Sequence, residues 1–239
     1  MCYIVNVLES GLLEELRRGR LAAGLTQREA ASRLGLSQPY LSQIECGRRR
    51  VPSRVLQGAR RLYGLRPTSL PLPAEPGKRP ADTERPAARL AALGYPGYAH
   101  VAPSPALNPA VVLLDALSED NLDARITRAL PWVLLRYSDL NWSWLLAHVK
   151  LRNLQNRLGF LVALARELAE DKENDSDTAS RLREVETDLD RARLAAETTL
   201  SRESMPPAER EWLRSNRPAL ARHWNVVTSL AAQELASVA

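Results

Sequence analysis

Between Ser37 and Arg50 the chain reads SQPYLSQIECGRRR, a stretch that gathers side chains suited to hydrogen-bonding base edges and phosphates. Leu41 and Ile44 share one helical face, which leaves Gln38, Pro39, Tyr40, Ser42 and Gln43 on the outer face. A glutamine amide can bond adenine N6 and N7 together, a serine hydroxyl can donate or accept, and proline or tyrosine can touch a thymine methyl or a sugar. Arg48, Arg49 and Arg50 follow directly and suit phosphate. Gln27 and Arg28 open the preceding helix, where backbone N–H groups and the positive dipole end favour a phosphate. The competing reading is a solvated helix face, and the flanking elements decide between the two.

Those elements are legible as short helices with tight joints. Thr26 and Glu29 make a capping box at the start of QREAASRLG, and Gly35 suits the left-handed position that ends it. Ser37 is placed to cap the next helix, and CGRRRVP breaks it. Upstream, Ser10 is placed to cap GLLEELRRGRLAAG, whose Leu12, Leu13, Leu16 and Leu21 fall near helical spacing before Gly24. Gly19 inside that helix is a weak point, costing about 1 kcal/mol against alanine. Downstream, SRVLQGARRLYG turns Val55, Leu56, Ala59 and Leu62 inward before Gly64. Helix, short turn and helix between Thr26 and Gly47 is the unit that lays one helix across a DNA backbone and the next in the major groove.

The stretch GLTQREAASRLGLSQPYLSQIECGRRRVPS resembles the Xre/Cro-type helix-turn-helix family of phage repressors and bacterial regulators. The match runs through Leu25, Thr26, Gln27, Ala31, Leu34, Gly35, Ser37, Gln38, Leu41, Ser42, Gln43, Ile44, Glu45 and Gly47, and covers residues 10–65 of the 239. The resemblance implies a lambda-repressor-like domain of four to five helices, with Gln38 and Gln43 as the main base readers. It also implies an internal salt bridge between Arg20 and Glu45 that orients the first helix. Cys46 departs from the family pattern, which more often has a polar residue or arginine there, and is read as an inert thiol.

Elsewhere the sequence holds no comparable constellation. An apolar content of 45% with 26% charged residues suits a soluble globular protein. No long uncharged apolar run is present and MCYIVNVL lacks the form of a secretory leader, so the expected location is cytoplasmic, with no membrane contact. Cys2 and Cys46 have no CxxC spacing and His100, His148 and His223 lie far apart, so no disulfide framework, metal site or cofactor is expected. NDSDT lacks the glycine of a calcium loop and the lead and strand context of a nucleotidyltransferase, and is read as a solvated helix cap. Trp132, Tyr137, Trp142 and Trp144 are read as packed core. With no catalytic constellation, the chain is not expected to be an enzyme.

Charge is distributed unevenly: residues 1–65 carry +6, residues 66–108 carry +2 and residues 109–239 carry −3. A basic head on a mildly acidic body fits polyanion binding by the head. The expected fold is all-α, with a helix-turn-helix domain over 1–65, a proline-rich linker over 66–108 and an all-helical bundle over 109–239. In the linker, ERPAARLAALG is a short helix able to dock on either neighbour, with Pro86 in its first turn and Gly94 as its stop. Asn108 is expected to cap PAVVLLDAL, Pro131 to kink or divide a helix within 120–137, and Asn141 to cap WSWLLAHVKL. Leu154, Leu158, Leu161, Leu164 and Leu168 mark a long amphipathic helix. Beyond EDKENDSD, a helix is expected to run on to Leu200 with a narrow stripe of Leu182, Val185, Leu189, Ala192, Ala196 and Leu200. Pro206 and Pro207 open a helix around Trp212 and Leu213, and Pro218 opens the last, with Leu220, Trp224, Val227 and Leu230 on one face. Met1–Leu8 is the only β-like segment.

These features point to a sequence-specific DNA-binding transcriptional regulator. The expected form is a homodimer that represses its own operon from a palindromic operator in double-stranded DNA, since useful affinity comes from two half-sites. The helix from Ser180 to Leu200, the last helix and Met1–Leu8 are the candidate dimerisation elements. The alternative is an antitoxin whose helical domain neutralises a cognate toxin while the head regulates the locus. LPWVLLRY and NWSWLLAHVKLRNLQNRLGFLVALARELAE are faintly similar to helical regions of regulators encoded beside nucleotidyltransferase-type toxins.

Overall fold

The computed structural model describes residues 7–73, 86–102, 107–171, 175–200 and 202–235. Among these the fold is all-α, with twelve α-helices and a single pair of two-residue strands. No helix among them is long and apolar enough to cross a membrane. The chain divides into two compact units, one within Met1–Glu75 and Pro105–Asn108, the other within Pro76–Ser104 and Pro109–Ala239.

The first unit is built from α1 (Val7–Ala22), α2 (Gln27–Leu34), α3 (Gln38–Glu45) and α4 (Ser53–Tyr63). Leu12 and Leu16 of α1, Ala30 and Ala31 of α2, Leu41 of α3, and Ala59 and Tyr63 of α4 close one core together with Leu25. The helix starts obey the expected chemistry at α2, where the Thr26 hydroxyl accepts from the Glu29 N–H and the Glu29 carboxylate accepts from the Thr26 N–H. Gly35 follows with φ of 68°, the left-handed conformation that a glycine adopts freely. Ser37 has the extended backbone of a cap but makes no side-chain cap bond, so this helix start is set by backbone geometry and by Pro39 in its first turn. α1 begins upstream of Ser10, which therefore lies inside the helix and does not cap it. Val7 and Leu8 are helical too, against the β-like expectation for that segment, whose residues 1–6 lie outside the described residues. Gly19 has a packing reason: a Cβ there would stand 2.4 Å from Leu65 Cδ2 and 3.1 Å from Tyr63 Cβ, so its absence lets α1 lie close against the end of α4. Past α4, the Asn108 side-chain amide donates to the carbonyls of Thr68 (2.9 Å) and Leu70 (2.8 Å), tying the two chain segments of this unit together.

The second unit contains α5 (Pro86–Leu93), α6 (Pro109–Leu117), α7 (Ala124–Arg136), α8 (Trp142–Leu151), α9 (Gln155–Glu170), α10 (Ser176–Asp190), α11 (Pro207–Asn216) and α12 (Ala219–His223). β1 (Thr198–Thr199) and β2 (Val226–Val227) pair in parallel, Thr198 against Val226. The short helix of the proline-rich segment docks here: Leu90 is buried, Arg89 pairs with Asp115 of α6, and the Tyr137 hydroxyl donates to the Leu93 carbonyl at 2.6 Å. α7 runs unbroken through Pro131, and Asn141 caps α8 by accepting from the Trp144 N–H. Of the aromatic group, Tyr137 is buried and Trp132 packs edge-on against both Tyr137 and Tyr95, while Trp142 and Trp144 are half-buried.

α9 is the axis of this unit and is not amphipathic. Every residue from Gln155 to Ala165 is buried, including Asn156 and Arg157. Gly159 is required there, because a Cβ would meet the indole of the fully buried Trp224 at 2.2 Å. Two expected helices end early. α10 stops at Asp190 rather than reaching Leu200, because the buried Asn156 side chain accepts from the Leu194 N–H (2.8 Å) and donates to the carbonyls of Leu194 and Ala196. Those backbone groups are claimed from outside and cannot continue a helix. The last helix is only Ala219–His223: Asn225 turns the chain at φ of 51°, and its side chain also donates to Leu194 O. Val226 and Val227 then extend beside β1. Two of the three elements expected to dimerise are therefore used internally: Leu182, Val185 and Leu189, like Trp224, Val227 and Leu230, are buried in their own unit.

Candidate nucleic-acid interface

The outer surface of the first unit is ordered from its interior outward. Arg20, near the end of α1, reaches Glu45 at the end of α3 with two hydrogen bonds, Nε to Oε1 at 2.6 Å and Nη2 to Oε2 at 3.0 Å. A third guanidinium donor, Nη1, satisfies the Leu25 carbonyl at 2.8 Å. The two side chains are only 7% and 3% exposed, so this ion pair is largely withdrawn from water. The Glu45 hydrogen bonds and charge hold the Arg20 guanidinium further above its ordinary range, against the burial that opposes it. Beside the pair the Tyr63 hydroxyl is buried, and that burial pushes its pKa up.

Gln27 extends this framework to the surface. Its Nε2 donates to Glu45 Oε2 at 2.9 Å, and its Oε1 accepts from Gln38 Nε2 at 2.9 Å. A carboxylate only accepts, so Glu45 dictates which way the Gln27 amide faces, and Gln27 dictates the same for Gln38. Gln38 is thereby held at the exposed N-terminal end of α3 with its own Oε1 and one amide hydrogen to spare, the pair that adenine N6 and N7 require. Gln27 was expected to meet phosphate; its side chain instead connects the buried pair to the exposed glutamine, a role that only the fold brings together.

The rest of the expected surface is exposed or partly so. Pro39 and Gln43 are exposed along α3, and Tyr40 and Ser42 are partly so. Arg28 is exposed in the first turn of α2, and Arg48, Arg49 and Arg50 are exposed beyond α3. Arg49, however, lies back on the helix: its Nε donates to Gln43 Oε1 at 2.8 Å and its guanidinium sits 5.4 Å from the Tyr40 ring centroid. Cys46 is exposed, and among the described residues no group of three or more His, Cys, Asp or Glu is placed to hold a metal.

A buried ion pair joining the ends of the first and third helices, a capped second helix, and amides presented on the third are the makings of a groove-reading module. Residues 12–71 match the family model described as a helix-turn-helix domain. No curated protein and no solved structure matches the chain. The helix-turn-helix domain supports DNA binding. Its turn depends on the start of α2, which gives a first prediction. Thr26→Ala is expected to lower the stability of the helix-turn-helix domain by about 1 kcal/mol, read by chemical denaturation. Hydrogen bonds from Thr26 hold the Glu29 carboxyl below its ordinary range. A depressed folded-state pKa stabilises above the unfolded value and stops doing so as pH falls through the folded one, so the gap between wild type and Thr26→Ala should narrow on acidification by the share of the hydroxyl-to-carboxylate bond, while the share of the Glu29 N–H bond to the hydroxyl remains.

Proposed function

We propose that the chain is a sequence-specific, Xre-type transcriptional regulator that binds a palindromic operator as a dimer and represses its own operon, acting by binding and not by catalysis. The observation that carries this reading is the run of contacts from Arg20 through Glu45 and Gln27 to Gln38, which spends a buried ion pair on orienting one exposed amide. A solvated helix face needs no such support. Gln38 and Gln43 then act on base edges, Pro39, Tyr40 and Ser42 pack or bond beside them, and Arg28, Arg48 and Arg50 neutralise phosphate.

The division of labour is measurable by fluorescence anisotropy on a selected duplex and a scrambled one. Gln38→Ala should lose roughly 1 to 3 kcal/mol on the selected duplex and little on the scrambled one. Arg48→Ala should weaken both equally and lower the salt slope by about one. Identical behaviour of the two variants would overturn the assignment. The antitoxin alternative differs only in what the second unit does: it requires a stable complex with the product of a neighbouring gene, and co-purification of the two products separates the readings.

A further inference from the structure

We infer that Arg49 sets the base preference of α3 by fixing the polarity of Gln43, so that Gln43 turns its amide hydrogens to the acceptors of guanine or thymine in preference to the two-bond pairing with adenine open to Gln38. The inference rests on the DNA-binding reading above and assigns its specificity.

A free glutamine amide can turn over and offer either edge. Gln43 is not free, because its Oε1 takes the Nε–H of Arg49 at 2.8 Å. A guanidinium has donors and no acceptor, so only the oxygen of Gln43 can face it, and the amide nitrogen with its two hydrogens must face away. Arg49 is itself fixed twice. Its guanidinium lies over Tyr40, which is on the same helical face one turn earlier, with centroid distance 5.4 Å. Its backbone is also folded back onto α3: the N–H groups of Arg48 (2.9 Å) and Arg49 (3.2 Å) both donate to the Gln43 carbonyl after Gly47 turns the chain at φ of 72°. Side chain, ring and loop thus converge on one amide.

The other end of the helix is fixed with the opposite sense. Gln38 spends an amide hydrogen on Gln27, whose own orientation derives from the carboxylate of Glu45. Gln38 keeps its oxygen unoccupied, whereas the Gln43 oxygen already carries the Arg49 bond and its two amide hydrogens are turned away from the guanidinium. Guanine O6 and N7 and thymine O4 accept such donors in the major groove, adenine offers N7 only beside the N6 donor that opposes them, and the cytosine N4 amino group cannot accept. Arg49 is a positioning residue here, distinct from Arg48 and Arg50 beside it.

Duplexes selected from a random pool by the full-length protein and by three exposed-surface variants test this. Gln43→Glu keeps a partner for Arg49 but offers only acceptors, so at one base pair of the operator the preference should invert from guanine or thymine to cytosine or adenine, by about tenfold, with the other positions unchanged. Arg49→Ala frees the amide to turn over, so adenine should enter at that base pair. Arg48→Ala should leave every preference as it was. Unchanged preferences in both Gln43→Glu and Arg49→Ala would overturn the inference and leave Arg49 a phosphate contact, while the DNA-binding reading survives. A wild-type protein that selects no sequence at all would overturn both together.

Discussion

Glu45→Ala is expected to lower the stability of the helix-turn-helix unit by about 3 to 5 kcal/mol, because it leaves the Arg20 guanidinium buried without its counter-charge. The Arg20 side chain is only 7% exposed and one of its donors is committed to Leu25 O. The two units can be followed separately in the full-length protein: all five tryptophans lie between Trp132 and Trp224, so their fluorescence reports the second unit and far-ultraviolet circular dichroism reports both. Glu45→Ala should move part of the dichroism transition to lower denaturant and leave the tryptophan transition in place. A sharper form replaces the pair by apolar residues, Arg20→Met with Glu45→Leu. Burying well-packed apolar groups in place of an ion pair is often neutral or stabilising, so most of the lost stability should return. Sequence selectivity should not return, since Gln27 then has no carboxylate to orient it. Recovery of both would mean that the pair serves folding alone.

Asn156→Ala is expected to cost the second unit about 1 to 3 kcal/mol, chiefly because the part-buried Leu194 N–H loses its partner, while the Leu194 carbonyl keeps the Asn225 amide. One side chain on the central helix satisfies Leu194 on both its N–H and its carbonyl, and Ala196 on its carbonyl, from 38 and 40 residues away. Its removal should move the tryptophan transition and spare the helix-turn-helix unit, the converse of Glu45→Ala. Asn156→Asp keeps the acceptor for Leu194 N–H, loses both donations and buries a charge, so it should be no better than alanine. Equal stability of all three forms would show that 191–200 is held by other means.

What was legible in the sequence divides along the range of the interactions. Thr26 with Glu29, Asn141, Gly35 and Gly64 act within a few residues of themselves, and the helices they bound stand where local chemistry puts them. The stop of α10 at Asp190 was not legible, because Leu194, Ala195 and Ala196 are acceptable helix residues and only Asn156, distant in sequence, diverts their backbone. The same holds for the last segment, where Trp224 inserts against Gly159 and Asn225 turns the chain into β2. In the interface, the outer face of α3 followed from the inward positions of Leu41 and Ile44. The inward turn of Gln27 and the return of Arg49 onto Gln43 did not, since a glutamine at a helix start and an arginine after a helix each suit phosphate until their partners are placed. A glutamine within reach of a second glutamine and a buried glutamate is the signal that was available.

The most direct test of the account is selection of bound duplexes from a random pool by the full-length protein, followed by titration of the selected and a scrambled duplex at several salt concentrations. One enriched motif is expected, with binding to it far tighter than to the scrambled duplex and selectivity that Gln38→Ala diminishes. No enriched motif, or equal affinity for both duplexes at every salt concentration, would contradict it.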